Sequence, residues 1–251
     1  MKLTILGCGT SGGVPKMPEH WGACDPKNPK NRRRRASILV EEGDTSILID
    51  TTPDLREQAL SAGMKHVSGV FYTHDHADHT HGIDDLRGFF QSTRQKVPVY
   101  GDAQTIDTLK LRFDYIFKSQ NGYPAICAAK TMSGPTKVGN ITMTPFEQGH
   151  GAGISLGYRF GDMAYSTDLD RMPESAFEAL DGVKVWVVDA LRYDPHPTHS
   201  HLAQTLAWID RVKPELAILT HMTWDMDYET LKAELPDGVV PAYDGMVIER
   251  P

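Results

Sequence analysis

Between Tyr72 and His79 the chain reads Tyr-Thr-His-Asp-His-Ala-Asp-His, with three histidines and two aspartates in six positions directly after the apolar run Val67 to Tyr72. Imidazole nitrogens and carboxylate oxygens are the ligands of zinc and similar divalent ions, and the apolar run supplies a rigid edge from which they can project. His74 and His76, two apart, point the same way while the backbone stays extended. Asp78 and His79 need a turn into a helix, which swings them toward a second ion about 3.5–4 Å from the first, the spacing of two-metal hydrolytic sites. The segment therefore predicts a binuclear metal centre at the end of a strand, to which the rest of the fold must bring further ligands.

The remaining organisation is compatible with that demand. The chain has 251 residues, 40% of them hydrophobic, enough for one large core with no linker, so residues 1–251 are expected to form a single domain. Strands are expected at Leu3 to Leu6, Ser37 to Glu41, Ser46 to Asp50, Val70 to Thr73, Val97 to Tyr100, Ile141 to Pro145, Leu156 to Phe160, Val185 to Asp189 and Ala217 to Thr220. Helices fit Pro53 to Ala62, Ala103 to Arg112, Glu174 to Leu180, Leu202 to Val212 and Tyr228 to Glu234. Phe113 to Lys130 reads as irregular, a lid or a subunit contact. No apolar stretch approaches the roughly 20 residues needed to span a bilayer, and Met1 to Leu6 runs into a strand instead of a signal peptide. Cys8, Cys24 and Cys127 are widely spaced without a Cys-x-x-Cys pair, which argues against a disulfide framework and for a reducing, cytoplasmic setting. A formal charge of −7 argues against broad nucleic-acid binding.

His74-x-His76-x-Asp78-His79 resembles the signature of the metallo-β-lactamase superfamily, and the family's later ligands have matches in the expected order. His150 follows the β-rich run Gly139 to Phe146, Asp168 closes Tyr165-Ser166-Thr167-Asp168, and His221 closes Leu216-Ala217-Ile218-Leu219-Thr220. The resemblance implies that His74, His76 and His150 hold one ion, that Asp78, His79 and His221 hold the other, and that Asp168 bridges them. It implies that Asp50, at the end of Ile47-Leu48-Ile49, orders the metal loop without binding metal. It also implies an α/β (α+β) fold, the four-layer αββα sandwich, with the site at one edge of two packed sheets.

Within the superfamily the chain resembles the phosphodiesterase branch, which includes phosphoribosyl cyclic phosphodiesterase and the transfer-RNA 3′-end nucleases. The glycine-rich loop Leu6 to Pro15 follows the first strand, and its Thr10 and Ser11 can donate to phosphate oxygens, although a tight turn packed under the site explains the loop equally well. The run Arg32 to Arg35 reads as a solvated loop, with Arg35 alone pairing an acid inside. Three histidines, His196, His199 and His201, crowd the start of the helix at Leu202. In the branch a histidine there binds phosphate or protonates the leaving oxygen. His199 matches best, His201 is the alternative or a helix cap, and His196 reads as a loop residue. Arg87 is a candidate phosphate contact, with Asp84 or Asp85 as the blander partner. Tyr193, Trp224, Tyr228 and Tyr243 are candidates for stacking on a base, though each also reads as core or rim. Relatives often add a structural zinc held by cysteines; only Cys24 survives in that region and four ligands are needed, so none is expected.

The expected function is a metal-dependent phosphodiesterase acting on a small cyclic or nucleotide-like phosphodiester, with two divalent ions per chain, zinc first and manganese second. His199, Asp78 and His201 are its candidate catalytic residues, and Thr10, Ser11, Arg87, His199 and Tyr228 its candidate substrate contacts. Two rivals stand beside it: a thioester or lactam hydrolase on the same scaffold, and a non-catalytic nucleotide-binding protein. No membrane partner is expected, and the relatives the chain resembles are usually homodimers.

Overall fold

The computed structural model describes residues 1–250. Strands β1 (Lys2–Gly7), β2 (Ser37–Glu42), β3 (Thr45–Ile49), β4 (Gly69–Phe71), β5 (Val97–Gly101) and β6 (Cys127–Thr131) lie side by side in that order. A second sheet holds β7 (Thr136–Val138), β8 (Ile141–His150), β9 (Gly153–Phe160), β10 (Met163–Ser166), β11 (Val185–Asp189), β12 (Leu216–Thr220) and β13 (Val239–Pro241), again in sequence. The last strand, β14 (Val247–Glu249), returns to the first sheet and pairs antiparallel with β1. Each sheet therefore has seven strands. The helices are α1 (Leu55–Ser61), α2 (Ala77–Thr80), α3 (Leu86–Thr93), α4 (Ala103–Arg112), α5 (Asp114–Phe117), α6 (Glu174–Ala179), α7 (Leu202–Val212) and α8 (Tyr228–Glu234). The four-layer αββα arrangement expected from the sequence is the one observed.

The strands read as continuous apolar runs because both of their faces are covered. Alternation divides each strand between two cores. Ile38 and Val40 of β2, Ile47 and Ile49 of β3 and Phe71 of β4 enter the larger core between the sheets. Leu39, Leu48, Val70 and Tyr72 enter the other core, beneath Leu55 of α1, Leu86 of α3 and Ile106 and Leu109 of α4. Tyr158 of β9 ties the sheets together by donating its hydroxyl to the Tyr72 carbonyl at 2.6 Å.

Parallel pairing places the chemistry. β3 to β6 run parallel in one sheet and β10 to β13 in the other, so loops that leave their carboxyl ends collect along one edge of the sandwich. Asp50 follows β3, His74 follows β4, Asp168 follows β10, Asp189 ends β11 and His221 follows β12. Asp50, Asp168 and His221 have left-handed backbone with φ of 64°, 54° and 58°, geometry that side-chain-bearing residues adopt with strain and that here marks one functional edge.

Several local expectations are corrected. The stretch Phe113 to Lys130 is not irregular: it contains α5 and β6, anchored by Ile116, Ile126 and Cys127 in the smaller core. The helix expected from Pro53 begins at Leu55, because Asp54 turns its carboxylate to the Arg35 backbone N–H and guanidinium, both at 2.9 Å. The segment His81 to Arg87, which reads in the sequence as a continuation of the helix that carries Asp78 and His79, does not continue it. Gly82 interrupts it where a Cβ would lie 2.0 Å from the Thr52 carbonyl, and α3 starts afresh at Leu86. Short β13 and β14 have no periodicity of their own and were not expected.

The arginine run is also not a solvated loop. Arg33 is only 2% exposed and donates to the carbonyls of Thr223 at 2.9 Å and Met226 at 2.6 Å. Asn31 assists by donating to Asp227 at 2.6 Å, and Arg34 pairs with Asp244 at 2.9 Å. Cys24, the surviving cysteine of the structural-zinc region, lies 3.9 Å from Arg33 and is a free, buried thiol like Cys8 and Cys127. A guanidinium thus staples the N-terminal loop to the segment after β12. Arg33→Met should strand two buried carbonyls and lower unfolding free energy by about 3 kcal/mol, at the charged end of hydrogen-bond values. Urea unfolding checks this, and a change below about 1 kcal/mol would contradict it.

Candidate metal centre

Asp50 organises the loop after β4. It is fully buried and accepts from the Thr73 backbone N–H at 2.8 Å and the Thr73 hydroxyl at 2.9 Å, and it lies 2.7 Å from Nδ1 of His79. The Thr73 hydroxyl also sits 3.0 Å from Nδ1 of His74. Nδ1 of His150 faces the Thr198 carbonyl at 2.8 Å. With Nδ1 engaged on these three rings, Nε2 is the atom turned toward the cluster, the arrangement by which outer partners fix a ligating imidazole.

Asp168 stands between two groups. Its Oδ1 lies 3.1 Å from Nε2 of His79 and 3.3 Å from Nε2 of His221. Its Oδ2 lies 3.7 Å from Nε2 of His74 and 3.8 Å from Nε2 of His150. His74, His76, His150 and Asp168 form one set of convergent ligand atoms, and Asp78, His79, Asp168 and His221 form another, each set within 4.8 Å. The structure thus brings together the residues of the two groupings that the resemblance implies, with Asp168 common to both, and Asp189, His199 and His221 converge as a third set.

The donor atoms fit divalent cations on their own evidence. Nε2 of His74, His79 and His221 are buried and lack hydrogen-bond partners, an expensive condition unless something satisfies them. Burial, followed by the charge of His79, holds the His74 imidazole well below the ordinary histidine range, which leaves it neutral, as a ligand must be. Burial likewise lowers His150. Burial opposes ionisation of Asp168, but His221 and His79 outweigh it and keep the carboxyl well below its usual range. Asp50→Asn should weaken metal binding about 10–100-fold through loss of His79 orientation. Chelator competition measures this; wild-type affinity in the variant would remove Asp50 from the role.

His199 lies beside this cluster with its own support. Its Nδ1 is 3.1 Å from Asp189 Oδ2, and its Nε2 is 3.8 Å from Asp168 Oδ2. Burial would lower the imidazole, but the Asp189 hydrogen bond and charge prevail and raise it to about 9. The ring therefore carries a proton at neutral pH. His199 and His150 also line a cavity of about 420 Å³ with His74, His76, Asp102 and Thr198.

Other expected site residues fall elsewhere. His201 is the residue before α7 and accepts the Thr205 N–H on its carbonyl, with no side-chain hydrogen bond at the helix start. Arg87 pairs with Asp84 at 2.5 Å and lines an outer groove beside α1. Tyr228 is buried, its ring against Tyr243 with the Lys30 ammonium 4.3 Å from its centroid. Thr10 and Ser11 line a second cavity near His196. Asp189 was not singled out from the sequence, although it ends an apolar strand, Val185-Trp186-Val187-Val188, just as Asp50 does.

A family model described as a beta-lactamase superfamily domain matches residues 45–222. An octanoyltransferase of Porphyromonas gingivalis is 32% identical over 254 residues, covering 98% of this chain and 51% of that protein. The chain thus spans about half the length of that curated relative. A crystal structure described as a new diphosphatase from the PhnP family has 36% identity and a TM-score of 0.93, over 100% of this chain and 98% of the other. Human short-form tRNase Z shares the fold, with 16% identity and a TM-score of 0.73 over 100% of both chains. Among the described residues, no helix is long and apolar enough to cross a membrane.

Proposed function

From a chain that belongs to the metallo-β-lactamase superfamily, in the branch of phosphoribosyl cyclic phosphodiesterase and the transfer-RNA 3′-end nucleases, and that is a metal-dependent hydrolase, we propose a phosphodiesterase of small nucleotide-like substrates, diphosphate diesters included. The reading takes residues 1–251 as one hydrolase domain. The observation that carries it is His199, a supported imidazole outside both ligand groups yet beside Asp168 and open to the cavity. Similarity to a diphosphatase over the whole chain supports the same class.

In this reading His74, His76 and His150 would hold one divalent ion and Asp78, His79 and His221 a second, with Asp168 within reach of both sets. Nitrogen and carboxylate donors suit zinc first and manganese second. When bound, such cations stabilise charge on phosphoryl oxygens and supply a nucleophile at neutral pH. His199 gives its Nε2 proton to the departing oxygen, and Asp189 steadies the imidazolium before transfer and orients the ring. Asp50 and Thr73 hold the loop so that His74 and His79 need not reorganise.

Thioester hydrolysis is the second reading, favoured by the octanoyltransferase similarity, although that name belongs to a protein about twice as long. Zinc- and manganese-loaded protein should hydrolyse bis(p-nitrophenyl) phosphate and leave an acyl thioester and a β-lactam chromogen nearly untouched. Preferential thioester turnover would transfer the function to the second reading, and silence on all substrates with metal bound would favour a binding role.

A further inference from the structure

A second cavity, of about 310 Å³, lies beside His196. Thr10, Ser11, Lys16, Arg192, His196 and Trp224 contribute to its wall. The rings of His196 and His199 are 5.2 Å apart, so one histidine faces this space while its neighbour faces the cavity at the ligand cluster. Thr10 is joined to the ligand framework as well, since its N–H donates to the carbonyl of Met222, next to His221.

The charges of the two spaces differ. Asp75 and Asp102 line the cavity at the cluster. In the second, Lys16 rests its ammonium 4.5 Å from the Trp224 ring centroid. Arg192 spends Nε and one Nη on the neutral carbonyls of Asp194 and Pro195, at 3.1 and 2.7 Å, and so keeps its charge. Asp225 is the one acid in the wall. Two cations and the Thr10 and Ser11 hydroxyls around a concave space in a chain of formal charge −7 form a local anion receptor.

We propose that this cavity binds a second phosphate group of the substrate, beside the phosphorus attacked at the ligand cluster, and thereby selects nucleoside diphosphate derivatives over simple monophosphate diesters. The inference rests on the phosphodiesterase reading for the bond that is cleaved, but the recognition of phosphate stands on the cavity itself. Lys16 holds the terminal oxygens from the Trp224 side, Arg192 from the His196 side, and the hydroxyls of Thr10 and Ser11 complete the contact.

Metal-loaded protein is titrated with adenosine 5′-(α,β-methylene)diphosphate and with AMP, and binding is read from tryptophan fluorescence or calorimetry. Wild type should favour the diphosphonate at least tenfold, and Lys16→Glu, an exposed substitution, should reduce that preference to twofold or less. No preference in wild type, or a preference that survives both Lys16→Glu and Arg192→Gln, overturns the proposal. Hydrolysis of ADP-ribose and bis(p-nitrophenyl) phosphate by the same wild-type samples separates the two readings. Preference without turnover leaves the phosphate site standing and removes the cleavage reading. Turnover without preference does the reverse.

Discussion

Asp168→Asn is expected to lose at least one bound metal ion per chain and to depress hydrolysis on the order of 10³-fold, the effect of withdrawing several kcal/mol of transition-state charge stabilisation. The reason lies in the division of its carboxylate, with Oδ1 toward His79 and His221 and Oδ2 toward His74 and His150. An amide keeps the shape and tolerates the left-handed backbone at position 168, so the fold should persist. It nevertheless removes the one negative charge shared by both ligand groups and puts an amide N–H, which cannot bind a cation, in place of one carboxylate oxygen. Metal analysis, circular dichroism and kcat/KM on one preparation test the three statements together. A folded variant with full metal content and activity within tenfold of wild type would rule out the bridging role.

The second large effect belongs to His199. His199→Ala should lower kcat by about 10²–10⁴, the usual contribution of a general acid, while metal content stays at the wild-type level. His199 is 3.8 Å from Asp168 and converges with Asp189 and His221 rather than with the two sets that share Asp168, so its removal spares the histidines that converge on Asp168. The decisive readout is leaving-group dependence. An alkoxide needs a proton as it departs and a p-nitrophenolate does not, so the loss should be much greater for an alkyl phosphodiester than for a nitrophenyl one. Equal losses on both substrates would reduce His199 to a positioning residue.

What the sequence revealed, and what it concealed, follows from the range of the interactions. The cluster from His74 to His79 is local, so its density alone announces chemistry. His150, Asp168 and His221 were legible through the resemblance, which asks for later ligands in order, and parallel pairing delivers Asp168 and His221 at strand ends to one edge. Asp189 has the same strand-end signature, but its role exists only through contact with His199, ten residues away around a loop. Arg33 is harder still. A string of four arginines reads as solvated, and only the carbonyls of Thr223 and Met226, about 190 residues later, make one of them interior. The short strands β13 and β14 are made by their neighbours in the sheet rather than by pattern, which is why tertiary pairing and not propensity defines them.

The left-handed backbone at Asp50, Asp168 and His221 carries a consequence for descendants of this chain. Glycine would occupy each of those conformations with less strain, by about 1 kcal/mol a position, and it is the metal chemistry that holds larger side chains there. Once a lineage no longer needs hydrolysis, drift to glycine at 168 and 221 relieves that strain, whereas at 50 it would also strand the buried Thr73 N–H. Glycine at 168 and 221 in an otherwise well-kept homologue would thus be a fossil of lost catalysis, readable before any assay is run.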